Sequence, residues 1–185
     1  MRRATDHARR PLVRAALLAV AVVLSGCANL ERHHAGAATV VVIRHAEKVD
    51  DRQDPPLSVA GHLRAGQLAT LWRARRPDAM YTTDFQRTRQ TLAPLARVHG
   101  MAPQVYDARQ SPQAFAATLR AAHPRGTIVV AGHSNTVPAI VTALCGCAAE
   151  AMADSEFDRV STIHFDGHGR ATLHVSRYGA PSPRP

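Results

Sequence analysis

The chain has 185 residues, 45% of them hydrophobic, and a formal net charge of +9 at pH 7. That length buries one sizeable apolar core and not two, so a single domain is expected. Despite the excess of Lys and Arg, no basic run is interleaved with aromatic residues, which argues against a nucleic-acid partner.

Much of the charge sits at the start. "MRRATDHARRPLVR" carries five arginines, "AALLAVAVVL" is an apolar run, and "LSGC" follows at once. This is the basic, apolar, small-residue order of a secretory signal. The run falls short of the ~20 apolar residues that span a bilayer. "LSGC" resembles a bacterial lipobox, in which cleavage before the cysteine leaves Cys27 to be lipidated. Two or more acyl chains, each contributing ~0.8 kcal/mol per buried CH₂, anchor a protein stably. Residues 1–27 are therefore expected to be a lipoprotein signal peptide. The mature chain is expected to be exported and lipid-anchored on the periplasmic side of a bacterial envelope. Ala28 lacks the aspartate that resembles an inner-membrane retention signal, which favours the outer membrane. Residues 1–27 hold five arginines and one aspartate, so the mature charge is +5. That balance suits anionic ligands.

Residues 28–38, "ANLERHHAGAA", read as a tether, with His33 and His34 as linker residues rather than metal ligands. "TVVVIRH" follows as a strand buried on both faces, because its apolar run is continuous and β-branched. Ser58 caps a helix expected to reach Arg75, with Leu63, Leu68, Leu71 and Trp72 on one side. "AMYTT" is the next strand. A helix from about Phe85 contains Pro94, which is expected to kink or divide it. "PQVYD" is a short strand, Ser111 and Pro112 open a helix to about His123, and "TIVVAGH" is another buried strand. Val137, Ile140, Val141 and Leu144 fall on one helical face, with Pro138 in the first turn. Cys145 and Cys147 are expected to be a thiol pair at that helix end, since a C-x-C bridge is a tight ring. "RVSTIHF" and "RATLHVSRY" flank the turn "DGHG" as a terminal hairpin. Residues 179–185 are Pro-rich and expected to be disordered, leaving 39–178 as the folded domain.

Strands alternating with helices imply an α/β three-layer sandwich, a mainly parallel sheet with helices on both faces. Ligands bind such sheets beyond the carboxyl ends of the strands. "RHAEK" and "GHSNT" both sit at such ends, so His45 and His133 are brought to one edge. Arg44 adds a planar donor fork suited to phosphate oxygens, and Arg87 in "TTDFQRTRQT" sits near a third strand-to-helix junction. Asn135 lies at the helix start after His133, where backbone N–H groups favour an anion. Two arginines, two histidines and a helix start make an anion clamp rather than a metal site.

At these residues a family resemblance appears. "RHAEK" is similar to the R-H-G-E signature of the histidine phosphatase superfamily, the phosphoglycerate-mutase-like enzymes. "PLSVAGHLRAGQLA", "YTTDFQRTRQTLAPLA" and "VVAGHSNT" resemble its second, third and fourth motifs, in the family's order. The resemblance implies that His45 is the nucleophile that becomes phosphohistidine, and that Arg44, Arg87, His133 and Asn135 hold the phosphate. It implies a phosphomonoester hydrolase that needs no metal and no cofactor, acting on a small phosphorylated substrate. Ala46 stands where the family has glycine. The family's acidic motif between the third and fourth segments is missing. The leaving-group acid is therefore Asp107, or Glu47 unless that residue only supports the site, or no side chain at all. The alternatives are a protein phosphohistidine phosphatase and a non-catalytic phosphate-binding lipoprotein.

Overall fold

The computed structural model describes residues 37–182. The expected signal peptide, the lipidation site at Cys27, the tether up to residue 36 and the last three residues lie outside them.

Six strands form one sheet in the order β3-β2-β4-β1-β5-β6. β1 (Ala38–Arg44) is central, parallel to β4 (Gly126–Gly132) and antiparallel to β5 (Arg159–Phe165). β2 (Ala79–Thr82) lies parallel between β4 and the two-residue β3 (Gln104–Val105), and β6 (Ala171–Arg177) closes the hairpin with β5. Four helices connect them: α1 (Val59–Leu71), α2 (Gln86–His99), α3 (Pro112–Ala122) and α4 (Val137–Cys145).

The period-2 alternation of strand side chains divides the core. Val40 and Val42 of β1, with Ile128 and Val130 of β4, face Phe115 and Leu119 of α3 and Ile140, Val141 and Leu144 of α4. Val41 and Ile43, with Val129 and Ala131, face Leu68 of α1 and Leu92 and Leu95 of α2. Burial on both faces is why β1 and β4 read as unbroken apolar runs, and the three-layer α/β sandwich is as expected.

Other details differ from the sequence expectation. α1 ends at Leu71 rather than Arg75, and Leu63 and Leu71 are 66% and 58% exposed. The face it buries is Gly61, Arg64, Ala65, Leu68 and Ala69. Small residues there let the helix approach the chain after β1, and Arg64 meets Glu47, so the buried face contains a charge that hydropathy assigns to solvent. Pro94 does not divide α2, which runs unbroken from Gln86 to His99. A mid-helix proline costs ~3 kcal/mol. Leu92 and Leu95 on either side are fully buried, and each contributes ~1.5–3 kcal/mol, enough to offset that cost.

Cys145 and Cys147 form a disulfide rather than a thiol pair. Gly146 between them adopts φ +65°, and this reversal holds the two Cα atoms 5.2 Å apart, within bridging range. The chain end is also more ordered than its composition implied. Ala180 accepts a hydrogen bond from Arg64, and Ser182 accepts from the backbone N–H groups of Phe157 and Asp158. Residues 179–182 are thus held against the start of β5.

Gly61 marks the tightest helix contact, since a Cβ there would lie 2.1 Å from the Glu47 carbonyl oxygen, whereas one at Gly66 would meet nothing within 4 Å. Gly61→Ala should therefore destabilise the chain by ~1–3 kcal/mol through overpacking. Gly66→Ala in the same helix should stabilise it by ~0.5–1 kcal/mol. Thermal unfolding of the two variants beside the wild type checks this; equal shifts would show that the α1 approach is not the constraint.

Candidate active site

The parallel register of β1 and β4 sets Arg44 opposite Gly132, and the His45 N–H donates to the Gly132 carbonyl at 2.9 Å. His45 and His133 therefore leave the same sheet edge side by side, their ring centroids 5.4 Å apart and nearly edge to face. They share a cavity of about 560 Å³ with Arg44, Arg87 and Asn135. The residues expected to form the clamp are thus brought together.

The Nδ1 of His45 lies 2.7 Å from the Ala46 carbonyl oxygen. A carbonyl only accepts, so Nδ1 carries the proton and Nε2 keeps its lone pair. Burial, then the positive charges of Arg44 and Arg87 with His133 beside them, lowers the His45 pKa to about 3 against the backbone bond. Burial, then Arg87 and Arg44, lowers that of His133 to about 4. Both rings are neutral at pH 7. His133 is held through Nε2, 3.0 Å from Thr83 Oγ1, which in turn meets Thr88 Oγ1 at 2.8 Å. Its Nδ1 is buried without a partner among the described residues, as is Nε of Arg44.

Arg44 is 3% exposed, and its Nη1 donates to the carbonyls of Ala153, Asp154 and Glu156 at 2.8–3.0 Å. Its guanidinium lies 4.1 Å from the Phe157 ring centroid, which fixes its plane. Burial lowers the Arg44 pKa, opposed by Asp154 and Glu156. Arg87, in the first turn of α2, packs 4.4 Å over Phe85 and has Asp54 at 3.8 Å. The buried Arg44 Nε–H, without a partner among the described residues and beside two neutral imidazoles, suits an oxyanion group, since an unpaired buried donor is costly until something accepts from it.

The candidate acids sit elsewhere. Asp107 does not line this cavity; it caps the Arg109 backbone N–H at 2.9 Å and pairs with the Arg109 side chain. These hydrogen bonds lower its pKa, and its side chain is 55% exposed. Glu47 also does not line the cavity, because Arg64 grips both of its carboxylate oxygens at 2.7–3.0 Å. Glu47 thereby links the loop after β1 to α1. Sequence reasoning missed Thr83, the arginine-facing Phe85 and Phe157, and Asp154, which lines the cavity and accepts from Ser134 Oγ at 3.1 Å. Asp154 lies in the coil before β5, where no periodicity marks it. The cavity wall also includes Lys48, Arg52 and Arg109.

Among the described residues, no group of three or more His, Cys, Asp or Glu side chains is placed to hold a metal ion. A second cavity, of about 570 Å³, shares no wall residue with the first and contains Glu156, Asp158, Arg159 and Arg177, which pair with one another.

Comparison with known proteins agrees with this arrangement. Residues 40–111 match the histidine phosphatase superfamily (branch 1). No curated protein matches the chain. The fold is shared with the protein histidine phosphatase SixA, solved with tungstate, at a TM-score of 0.62 and 17% identity over 75% of this chain and 96% of that one. It is shared with a mycobacterial glucosyl-3-phosphoglycerate phosphatase at 0.61 and 15% identity, over 77% and 100% of the two chains. It is also shared with an Entamoeba histolytica phosphoserine phosphatase, solved with 3-phosphoglyceric acid, at 0.60 and 14%, over 77% and 98%. The chain is thus similar to the histidine phosphatase superfamily through the first three motifs, and it shares its fold with solved phosphatases.

Proposed function

We propose that the chain hydrolyses small phosphomonoesters through a phosphohistidine formed on His45. The observation that carries this is the bond from His45 Nδ1 to the Ala46 carbonyl, which leaves Nε2 unprotonated on a ring that shares its cavity with Arg44 and Arg87. Nε2 attacks phosphorus in line while the ester oxygen leaves, and water then attacks the phosphohistidine and releases inorganic phosphate. Arg44, Arg87, His133 and Asn135 hold the phosphoryl oxygens, so positioning and fixed charge supply most of the rate, with no metal assigned a role. Export and a lipid anchor on Cys27 complete the proposal, on the strength of the sequence order described above.

A second reading is favoured by one observation. Neither Asp107 nor Glu47 lines the cavity, and the carboxylates that do, Asp51 and Asp154, are engaged by Lys48 and Ser134, so a leaving group that departs without strong acid assistance suits the site. A phosphorylated imidazole is such a group, as in a protein phosphohistidine phosphatase.

Turnover of an aryl phosphate, quenched rapidly in alkali, should leave acid-labile phosphate on His45, and His45→Ala should lose at least ~10³-fold in kcat. Full activity in that variant rejects the mechanism. In the same preparation, a higher kcat/KM for an alkyl phosphomonoester than for a phosphohistidine peptide supports the first reading, and the reverse order supports the second.

The depressed histidine pKa values also make stability depend on pH. Unfolded imidazoles titrate near 6.5, whereas His45 and His133 titrate at about 3 and about 4 when folded. Between those values the unfolded chain binds more protons, so stability is lost as pH falls below 6.5. At pH 5 the loss is roughly 2 kcal/mol for each ring. His45→Ala should lose roughly half as much stability as wild type between pH 7.5 and 5 in denaturant titrations. An unchanged loss would mean that the His45 ring is not held neutral by the fold.

The anchor has its own test. Cys27→Ser should abolish incorporation of radiolabelled fatty acid while leaving phosphatase activity in the purified chain. Labelling of the serine variant equal to wild type would exclude Cys27 as the acceptor.

A further inference from the structure

The cavity offers more positive charge than one phosphoryl group uses. Beyond Arg44 and Arg87, its wall includes Lys48, Arg52 and Arg109, none of which has a part in the transfer described above. They come from two separate connections, β1 to α1 and β3 to α3, so their convergence is a product of the fold rather than of neighbouring sequence. Their present partners are local carboxylates: Asp51 for Lys48, Asp50 for Arg52 and Asp107 for Arg109, none more than three residues away. The Arg52 and Arg109 side chains are 74% and 91% exposed. Ion pairs this open to water are weak and salt-screened, so the cations can exchange partners at little cost. Of the three carboxylates only Asp51 lines the cavity, and the other anionic wall residue, Asp154, comes from a third segment where it faces Ser134.

We propose that Lys48, Arg52 and Arg109 form a second anion subsite, and that the preferred substrate is a phosphomonoester whose leaving group carries a further carboxylate or phosphate. The inference rests on the phosphatase reading, which fixes the end of the substrate that enters between Arg44 and Arg87. The volume of about 560 Å³ falls in the range of sites that enclose a whole small molecule. Phe85, Pro55 and Ala108 supply apolar wall for its carbon skeleton. Two guanidinium forks at the mouth match a planar carboxylate or a phosphate in a bidentate manner, which a lone exposed aspartate beside each does not preclude. Asp154 repels a second anion from the Ser134 side and so directs it toward Arg52 and Arg109.

Binding and turnover are read separately. In His45→Ala, which removes the nucleophile, calorimetry at low salt compares phenyl phosphate, 4-carboxyphenyl phosphate and 1,4-phenylene bisphosphate. The two doubly anionic probes should bind on the order of tenfold more tightly than phenyl phosphate. The larger gain of the two identifies the preferred second group. That preference should fall to about one in His45→Ala/Arg52→Ala/Arg109→Ala, the loss falling on the doubly anionic probes. Equal affinity for all three probes in His45→Ala, or a preference that survives loss of both arginines, overturns the subsite. Hydrolysis of the same compounds by the unmutated chain tests the other premise. Failure to cleave any of them rejects the phosphatase reading, while the affinity ratios still decide whether the second subsite exists.

Discussion

The register between β1 and β4 is the constraint on which the site depends. Seven consecutive residue pairs align the two strands, ending with Arg44 opposite Gly132, and the next residue of each strand is a histidine. Because side chains alternate between faces, a slip of one residue would drive the β1 valines into the wrong layer, and the core forbids it. Apolar packing far from the cavity thus fixes the spacing of the two imidazoles.

Around that edge the protein holds an unusual amount of buried charge, and each group is handled differently. Arg44 spends one nitrogen on three backbone carbonyls of the segment before β5, so the cation is held in contact by dipoles, with Asp154 and Glu156 supporting its charge without an ion pair. Its positive charge therefore remains available to an anion. Arg64 does the opposite: it saturates Glu47 and also binds the carbonyls of Tyr178 and Ala180, which ties the first motif to α1 and to the chain end. Breaking such a pair from one side leaves an uncompensated charge in the interior and costs ~3–5 kcal/mol, so Glu47 acts as a support.

Local and short-range signals were legible in the sequence. Continuous β-branched runs identified β1 and β4, Ser111 and Pro112 marked the start of α3, and the positions of His45, His133, Arg44 and Arg87 at strand and helix ends followed from topology. What escaped notice was long-range and polar. Arg64 looks like a surface residue until Glu47 and the carbonyls at 178 and 180 are brought to it, the last 116 residues away. Asp154 and the ordered residues up to 182 have no periodicity, and their placement depends on partners that only the folded chain supplies. Asp107 shows the converse error, since a strand end pointed toward the site while an adjacent arginine claimed the carboxylate.

The tautomer of His45 is fixed by the carbonyl of the next residue rather than by another side chain. In many catalytic histidines an acidic residue performs this task, and its loss by mutation leaves the ring free to swap its proton. Here the information is written into the main chain, which every amino acid at position 46 carries. The orientation of the His45 ring is thus sheltered from point mutation at its own orienting group, and the sequence beside it is free to drift, provided the small buried volume now filled by Ala46 is respected.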